Sequence, residues 1–232
     1  MSSTHTLNID LFISTQCPHC SHAIELLTKA VKQGVISELK IINISALDNS
    51  EHHNYELYNS EHYSHIRSVP FIQVDDYEFT GELKKPELDS WIKAHQDGNF
   101  ADVYFSKQLM DGNINTLENF IKRKPAYWLK LVKLAQDAET KMQVRIGITA
   151  IFESSSSDIA KITQCDDIVA SLIQASKTEN HAIRVDLIYI LSLIFTALKN
   201  QQRSNSKLND FMALSLNDQS DEIREIAEDV LN

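Results

Sequence analysis

Glycine and proline are scarce in this chain. Its 232 residues include five glycines and four prolines. That excludes a collagen-like or low-complexity polymer. Their thinning after Gly81 predicts long helices with short connections. Basic charge is also in short supply, with 22 Lys and Arg against 32 Asp and Glu and a net charge of −10. The longest basic run is Lys122-Arg123-Lys124. Neutralising a phosphate backbone needs a basic stripe, so neither nucleic acid nor an anionic membrane is expected as a partner. Long apolar runs are missing too. The most apolar stretch, residues 183–198, is broken by Arg184 and Asp186 and looks too short to cross a bilayer. The opening MSSTHTLNIDLF lacks a positive segment followed by an apolar core, so no signal peptide is expected. These features predict a cytoplasmic protein. Cysteine is limited to Cys17, Cys20 and Cys165. In a reducing compartment a close pair of thiols is catalytic or metal-binding more often than a structural staple.

What is present divides into two halves. Residues 1–97 alternate strand and helix signals. Leu7, Ile9, Leu11 and Ile13 recur at period two and Phe12 adds bulk to the opposite face, predicting a strand buried largely on both sides. A helix is predicted from Pro18 to about Gln33, ended by Gly34. A second strand is expected over 38–44 and a polar, histidine-rich helix over 48–67. Val69-Pro70 leads into PFIQV, a third strand; Asp75-Asp76 turns the chain into YEFT, a fourth. A helix from Lys85 to His95 has Pro86 near its start. The order is β-α-β-α-β-β-α. The halves also differ in charge, net −7 over 1–97 and −3 over 98–232.

From about Asn99 onward only helical patterns occur, and they repeat. MQVRIGITAIFES, HAIRVDLIYILSL and DEIREIAEDVL each place a β-branched residue before an arginine and an apolar helical stripe after it. Arg145, Arg184 and Arg224 stand 39 and 40 residues apart. Other amphipathic helices fall between them, over 126–136, 166–176 and 207–216. A helix pair with a period near forty residues has the length of a HEAT-type repeat. The run from Glu153 to Asp158 has four serines and is expected to be a loop between repeats, with Ser157 or Asp158 capping the next helix.

The chemistry gathers at STQCPHCSH, residues 14–22. A thiolate is the attacking species in disulfide exchange, so a redox cysteine must ionise near neutral pH. A helix N-terminus beside Cys17 would supply unpaired N–H groups and the positive end of a dipole. Pro18 suits a first helical turn, and His19 adds local polarity, so both are expected to tune the thiolate. Cys20, one turn deeper, would be less exposed. Cys17 is then the nucleophile and Cys20 the resolving thiol. A metal reading stands beside this one. Structural zinc takes four ligands, usually two such pairs, and only one Cys-x-x-Cys is present. His52, His53, His62 and His65 are read as a solvated face, and no metal or cofactor is assigned. An inert cysteine pair is the third possibility. Cys165 is read as a small buried side chain.

Residues 1–97 resemble the thioredoxin superfamily, and most closely its glutaredoxin-sized members. The resemblance rests on Cys17-Pro18-His19-Cys20 after the first strand, Val69-Pro70 before the third, and Thr80-Gly81 after the fourth. It implies that the peptide before Pro70 is cis and lies against the dithiol, and that the backbone of Val69 pairs with an extended substrate chain. Thr80-Gly81-Glu82-Leu83 departs from the glutathione-binding segment of glutaredoxins. Asp10 does not match well the buried acid of thioredoxins.

The expected fold class is therefore an α/β thioredoxin-like domain over 1–97 followed by an all-α, HEAT-like domain over 98–232. The expected function is thiol–disulfide exchange on a protein disulfide. The helical repeats would dock the partner or substrate, with glutathione or a reductase as the thiol source. The alternatives are a non-enzymatic, redox-sensing adaptor, and a two-domain protein of the glutathione transferase or glutaredoxin type. The missing Glu-Ser pair after the Val-Pro hairpin and the forty-residue period argue against the transferase.

Overall fold

The computed structural model describes residues 7–45, 66 and 68–232. The chain divides into two compact units, Met1–Val103 and Tyr104–Asn232. A tight turn at Gly98 has a φ of +71°, easily reached only without a side chain.

The first unit is built on a four-stranded mixed sheet with strand order β2-β1-β3-β4. The strands are β1 (Leu7–Ile13), β2 (Ile36–Asn43), β3 (Phe71–Val74) and β4 (Tyr77–Thr80). β1 runs parallel to β2 and antiparallel to β3, and β3 forms a hairpin with β4. The hairpin turns at Asp75 in a left-handed conformation, which aspartate tolerates better than most residues. The period-two reading of β1 holds: Leu7, Ile9 and Leu11 are buried on one face and Phe12 on the other. β2 starts at Ile36 and ends at Asn43, earlier at both ends than expected, because Ile36 pairs with Leu7 at the start of β1.

Helix α1 spans Cys20–Lys32 and buries Cys20, Ala23, Leu27 and Ala30. Helix α2, Lys85–Gln96, has Pro86 in its first turn and buries Leu88, Trp91 and Ala94. Trp91 lies against Phe79 with ring centroids 3.8 Å apart. Since Phe79 is in register with Ile72, and Ile72 with Leu11, α2 covers the Leu11 face of the sheet. The opposite face carries a second cluster of Phe12, Ile42, Ile66 and Phe71, with Val69 and Ile44 packed against it. The expected helix over 48–67 and its histidines His52, His53, His62 and His65 lie outside the described residues.

Past β4 and α2 the described chain is helical: α3 (Phe100–Met110), α4 (Ile114–Arg123), α5 (Trp128–Gln136), α6 (Met142–Ile159), α7 (Cys165–Ala175), α8 (His181–Asn200), α9 (Ser206–Ser215) and α10 (Asp221–Leu231). Their packing forms two layers. Helices α4, α6, α8 and α10 pack in succession, and so do α5, α7 and α9. Val144, Ile183 and Ile223, each just before its arginine, are all buried. In the other layer Trp128, Ile168 and Leu208 are spaced by 40 residues and buried, as are Val132, Leu172 and Met212. Ion pairs and hydrogen bonds tie successive members together: Arg145 to Asp186 at 3.5 Å, Arg184 to Asp218, and Glu153 to the Tyr189 hydroxyl at 2.8 Å.

Two expectations are corrected here. The serine run 153–158 is no loop, because α6 continues through it to Ile159. Its hydroxyls find partners inside the helical frame: Ser154 donates to the carbonyl of Ile151, Ser156 to that of Glu153, and buried Ser155 to the Glu118 carboxylate. Serine that bonds back to the preceding turn is tolerated within a helix. The apolar run near 183–198 belongs to a 20-residue helix, α8, which is long and apolar enough to cross a bilayer by those two measures alone. Its buried stripe, including Ile183, Leu187, Leu191 and Ile194, instead faces the helices packed around it, as a central core helix does.

Candidate functional site

Strand register sets the site. Phe12 stands opposite Ile42 on β2 and opposite Phe71 on β3, and Phe71 stands opposite Thr80 on β4. The chain leaving β1 toward Cys17, the residues after β2, Val69-Pro70 before β3 and Gly81 after β4 therefore gather at one end of the sheet. In α/β sheets the carboxyl ends of parallel strands are where ligand sites form.

Cys17 and Cys20 are joined there, with sulfurs 2.13 Å and Cα atoms 5.5 Å apart. Their environments differ. Cys20 is 3% exposed and anchored in α1, whereas Cys17 is half-buried in the turn ahead of the helix, beside exposed Pro18 and His19. The helix does not start at Pro18 as expected. Residues 14–19 are taken up by a turn in which the Cys17 amide donates to the Ser14 carbonyl at 3.1 Å. The first bond of helical type runs from the Ala23 amide to the His19 carbonyl, at 3.3 Å. His19 occupies the N-cap without a side-chain hydrogen bond, and the Cys20 amide donates to the Cys17 carbonyl at 3.4 Å. The positive end of α1 thus sits just past Cys17.

The Val69–Pro70 peptide is cis, in keeping with the resemblance. Pro70 is buried, and its carbonyl accepts from the Gly81 amide at 3.1 Å. This bond ties the end of β4 to the proline turn. Val69 packs its side chain against the Phe12 cluster, and among the described residues its backbone makes no hydrogen bond.

Three residues that the sequence did not single out complete this end of the sheet. The Ser45 hydroxyl lies 2.6 Å from that of Ser14 and accepts from the Thr15 amide at 3.2 Å. The Ser14 hydroxyl accepts from the Gln16 amide at 3.3 Å, and the Asn43 side-chain carbonyl accepts from the Ser45 amide at 3.0 Å. Serines just beyond the two parallel strands were the only local signal for this network. Asp10 is half-buried inside β1, between Lys40 and Gln73 in register. Cys165 is buried at the start of α7, where burial first, and then the neighbouring Asp166, push its thiol up against the opposing influence of Arg203. Among the described residues no group of three or more His, Cys, Asp or Glu side chains is placed to hold a metal ion.

The helical unit has an open groove of about 350 Å³ along the α6, α8 and α10 layer, with Ser157, Tyr189, Leu193, Thr196, Ile226 and Asp229 among its lining residues. A scan against protein-family models gives no match to this chain, and a search of curated proteins gives none either.

Proposed function

We propose that the chain is a cytoplasmic thiol–disulfide oxidoreductase with a thioredoxin-like first unit and a HEAT-like helical-repeat second unit. The observation that carries the reading is the asymmetry of the Cys17–Cys20 pair. Cys17 is half-buried ahead of a helix N-terminus, its partner is buried, and both sit at the end of the sheet that holds the cis-proline turn. In the reduced protein the Cys17 thiolate attacks one sulfur of a substrate disulfide. The Cys17–substrate bond forms, the substrate's S–S bond breaks, and the leaving thiolate takes a proton from water. The Cys20 thiolate then attacks Cys17 Sγ and releases the second substrate thiolate, leaving the Cys17–Cys20 disulfide. A dithiol or two monothiols restore the reduced pair, and the same steps reversed oxidise a substrate.

Pro18 and His19 tune the thiolate by framing the start of α1, and Val69 offers its backbone to the substrate chain. The helical unit docks a protein partner or substrate, because stacked helix pairs present extended surfaces. A second reading, a redox-sensing adaptor, is favoured by the groove on that unit. The two are separated by turnover of a small disulfide peptide with glutathione. Oxidoreductase action predicts turnover that Cys17→Ser abolishes, while Cys20→Ser accumulates a Cys17–peptide adduct visible by mass. Full turnover by Cys17→Ser would overturn the assignment.

A further inference from the structure

We infer that Ser45, oriented by Asn43, is a positioning residue for Cys17. The inference rests on the redox reading of the dithiol and deepens it. Cys20 is held by α1, but Cys17 lies three residues ahead of that helix. Once the sulfur–sulfur bond opens, the Cys17 sulfur is placed by the turn from Ser14 to Cys17, with a long bond of 3.4 Å from the Cys20 amide to the Cys17 carbonyl on its other side. That turn is pinned from outside. A continuous path of hydrogen bonds runs from the end of β2 to the Cys17 amide: Asn43 to the Ser45 amide, the Ser45 hydroxyl to both the Thr15 amide and the Ser14 hydroxyl, Ser14 to Gln16, and the Ser14 carbonyl to Cys17. Ser14 and Ser45 are 31 residues apart in sequence, so the contact is tertiary. The site is thus joined to the edge strand β2 as well as to β1 and α1.

The consequence lies in proximity. Closing a disulfide within one chain is favoured by the effective concentration of one sulfur at the other, which depends on how narrowly the turn is confined. Removing the Ser45 hydroxyl frees the exposed Thr15 amide to bond water and lets the turn widen. The fold is little affected, since neither Ser14 nor Ser45 is fully buried. The dithiol should then be favoured over the disulfide, and resolution of a mixed disulfide on Cys17 should slow.

The test is the equilibrium of full-length protein with reduced and oxidised glutathione, read by thiol alkylation and mass, for the unmodified chain, Ser45→Ala, Ser45→Thr and Ser14→Ala. The expected result is a shift of about tenfold toward the dithiol in Ser45→Ala, equivalent to about 30 mV. Ser14→Ala should shift in the same direction, Ser45→Thr should restore the original value, and the unfolding midpoint should be unchanged throughout. An unmodified protein that exchanges with glutathione beside a Ser45→Ala variant with the same equilibrium overturns the positioning role alone. An unmodified protein whose cysteine pair does not exchange at all overturns the redox reading and this inference with it. If Ser45→Ala fails to fold, Ser14→Ala carries the comparison, and an unchanged equilibrium there overturns the role.

Discussion

Gly147 is the single glycine inside a helix of the second unit, and its replacement sets two opposing effects against each other. It lies buried in α6. A Cβ there would meet Leu109 of α3, at 2.9 Å from Cδ2 and 3.3 Å from Cβ. Helix propensity alone would make Gly147→Ala stabilising by about 1 kcal/mol. The contact opposes this. Leu109 is 2% exposed, so its Cδ2 cannot swing aside without displacing its neighbours, while the approach to its Cβ asks for a shift of only a few tenths of an ångström. Overpacking of this kind costs about 1–3 kcal/mol. The net expectation is a loss of about 1 kcal/mol. The partner's identity supplies a sharper check. In a Leu109→Ala background, itself destabilised by about 2–5 kcal/mol, the obstructing Cδ2 is gone. Gly147→Ala should then change sign and stabilise by about 0.5 kcal/mol or more. The measurement is guanidinium unfolding of the four proteins in a Trp91→Phe background, where Trp128 in α5 reports on the helical unit alone. The coupling between the two positions should exceed about 1 kcal/mol. A Gly147→Ala single variant more stable than its parent, or coupling near zero, would refute the close packing of α3 on α6.

Two further outcomes can be measured on the same footing. Phe12 is fully buried and packs edge-to-face on Phe71 with centroids 5.6 Å apart; Phe12→Ala should cost about 3–5 kcal/mol, read from Trp91 fluorescence in a Trp128→Phe background, and a cost below about 1 kcal/mol would show that the cluster beneath Val69 is not a packed core. Burial alone would raise the Glu118 carboxyl, but hydrogen bonds from Lys122 and Ser155 and the Lys122 charge outweigh it and hold the group below the ordinary glutamate value. A depressed carboxyl stabilises the fold above its unfolded pKa of about 4.3 and loses that contribution as pH falls through the lower folded value. Glu118→Gln should therefore cost about 1 kcal/mol at pH 7, and the gap to the parent should close in acid; a gap that persists at about pH 3 would refute the ionic origin.

Much of this molecule was legible in its sequence where the signal is local or periodic. The alternation around Leu7, Ile9 and Leu11 gave a strand because a pleated chain exposes alternate residues to alternate faces. The Val144, Ile183 and Ile223 positions could be aligned because each lies at the same point of a helix that must bury the same stripe. The two cysteines announced themselves by spacing. The serine run 153–158 misled for a physical reason. Serine favours caps and turns when its hydroxyl competes with the helix for backbone partners, yet here the hydroxyls bond to carbonyls one turn back or to Glu118, so the competition disappears. Local composition carries no trace of Glu118, 37 residues away from Ser155.

The start of α1 shows why the site was harder to read than the fold. Pro18 suits a first helical turn, and the sequence around it offers no objection to a helix beginning there. What shifts the start to Cys20 is the turn that holds Cys17, and that turn depends on a serine at the far end of another strand. A lone serine after β2 has no signature, since its role exists only once β1 and β2 are paired in register with Phe12 opposite Ile42 and Ile13 opposite Asn43. The cysteine pair is thus marked by local spacing, whereas the placement of Cys17 relative to the sheet comes from strand pairing. Substitutions at Ser14, Asn43 and Ser45 should accordingly move the redox equilibrium while leaving the fold intact, and substitutions at Phe12 should do the reverse in order of size, unfolding the unit first.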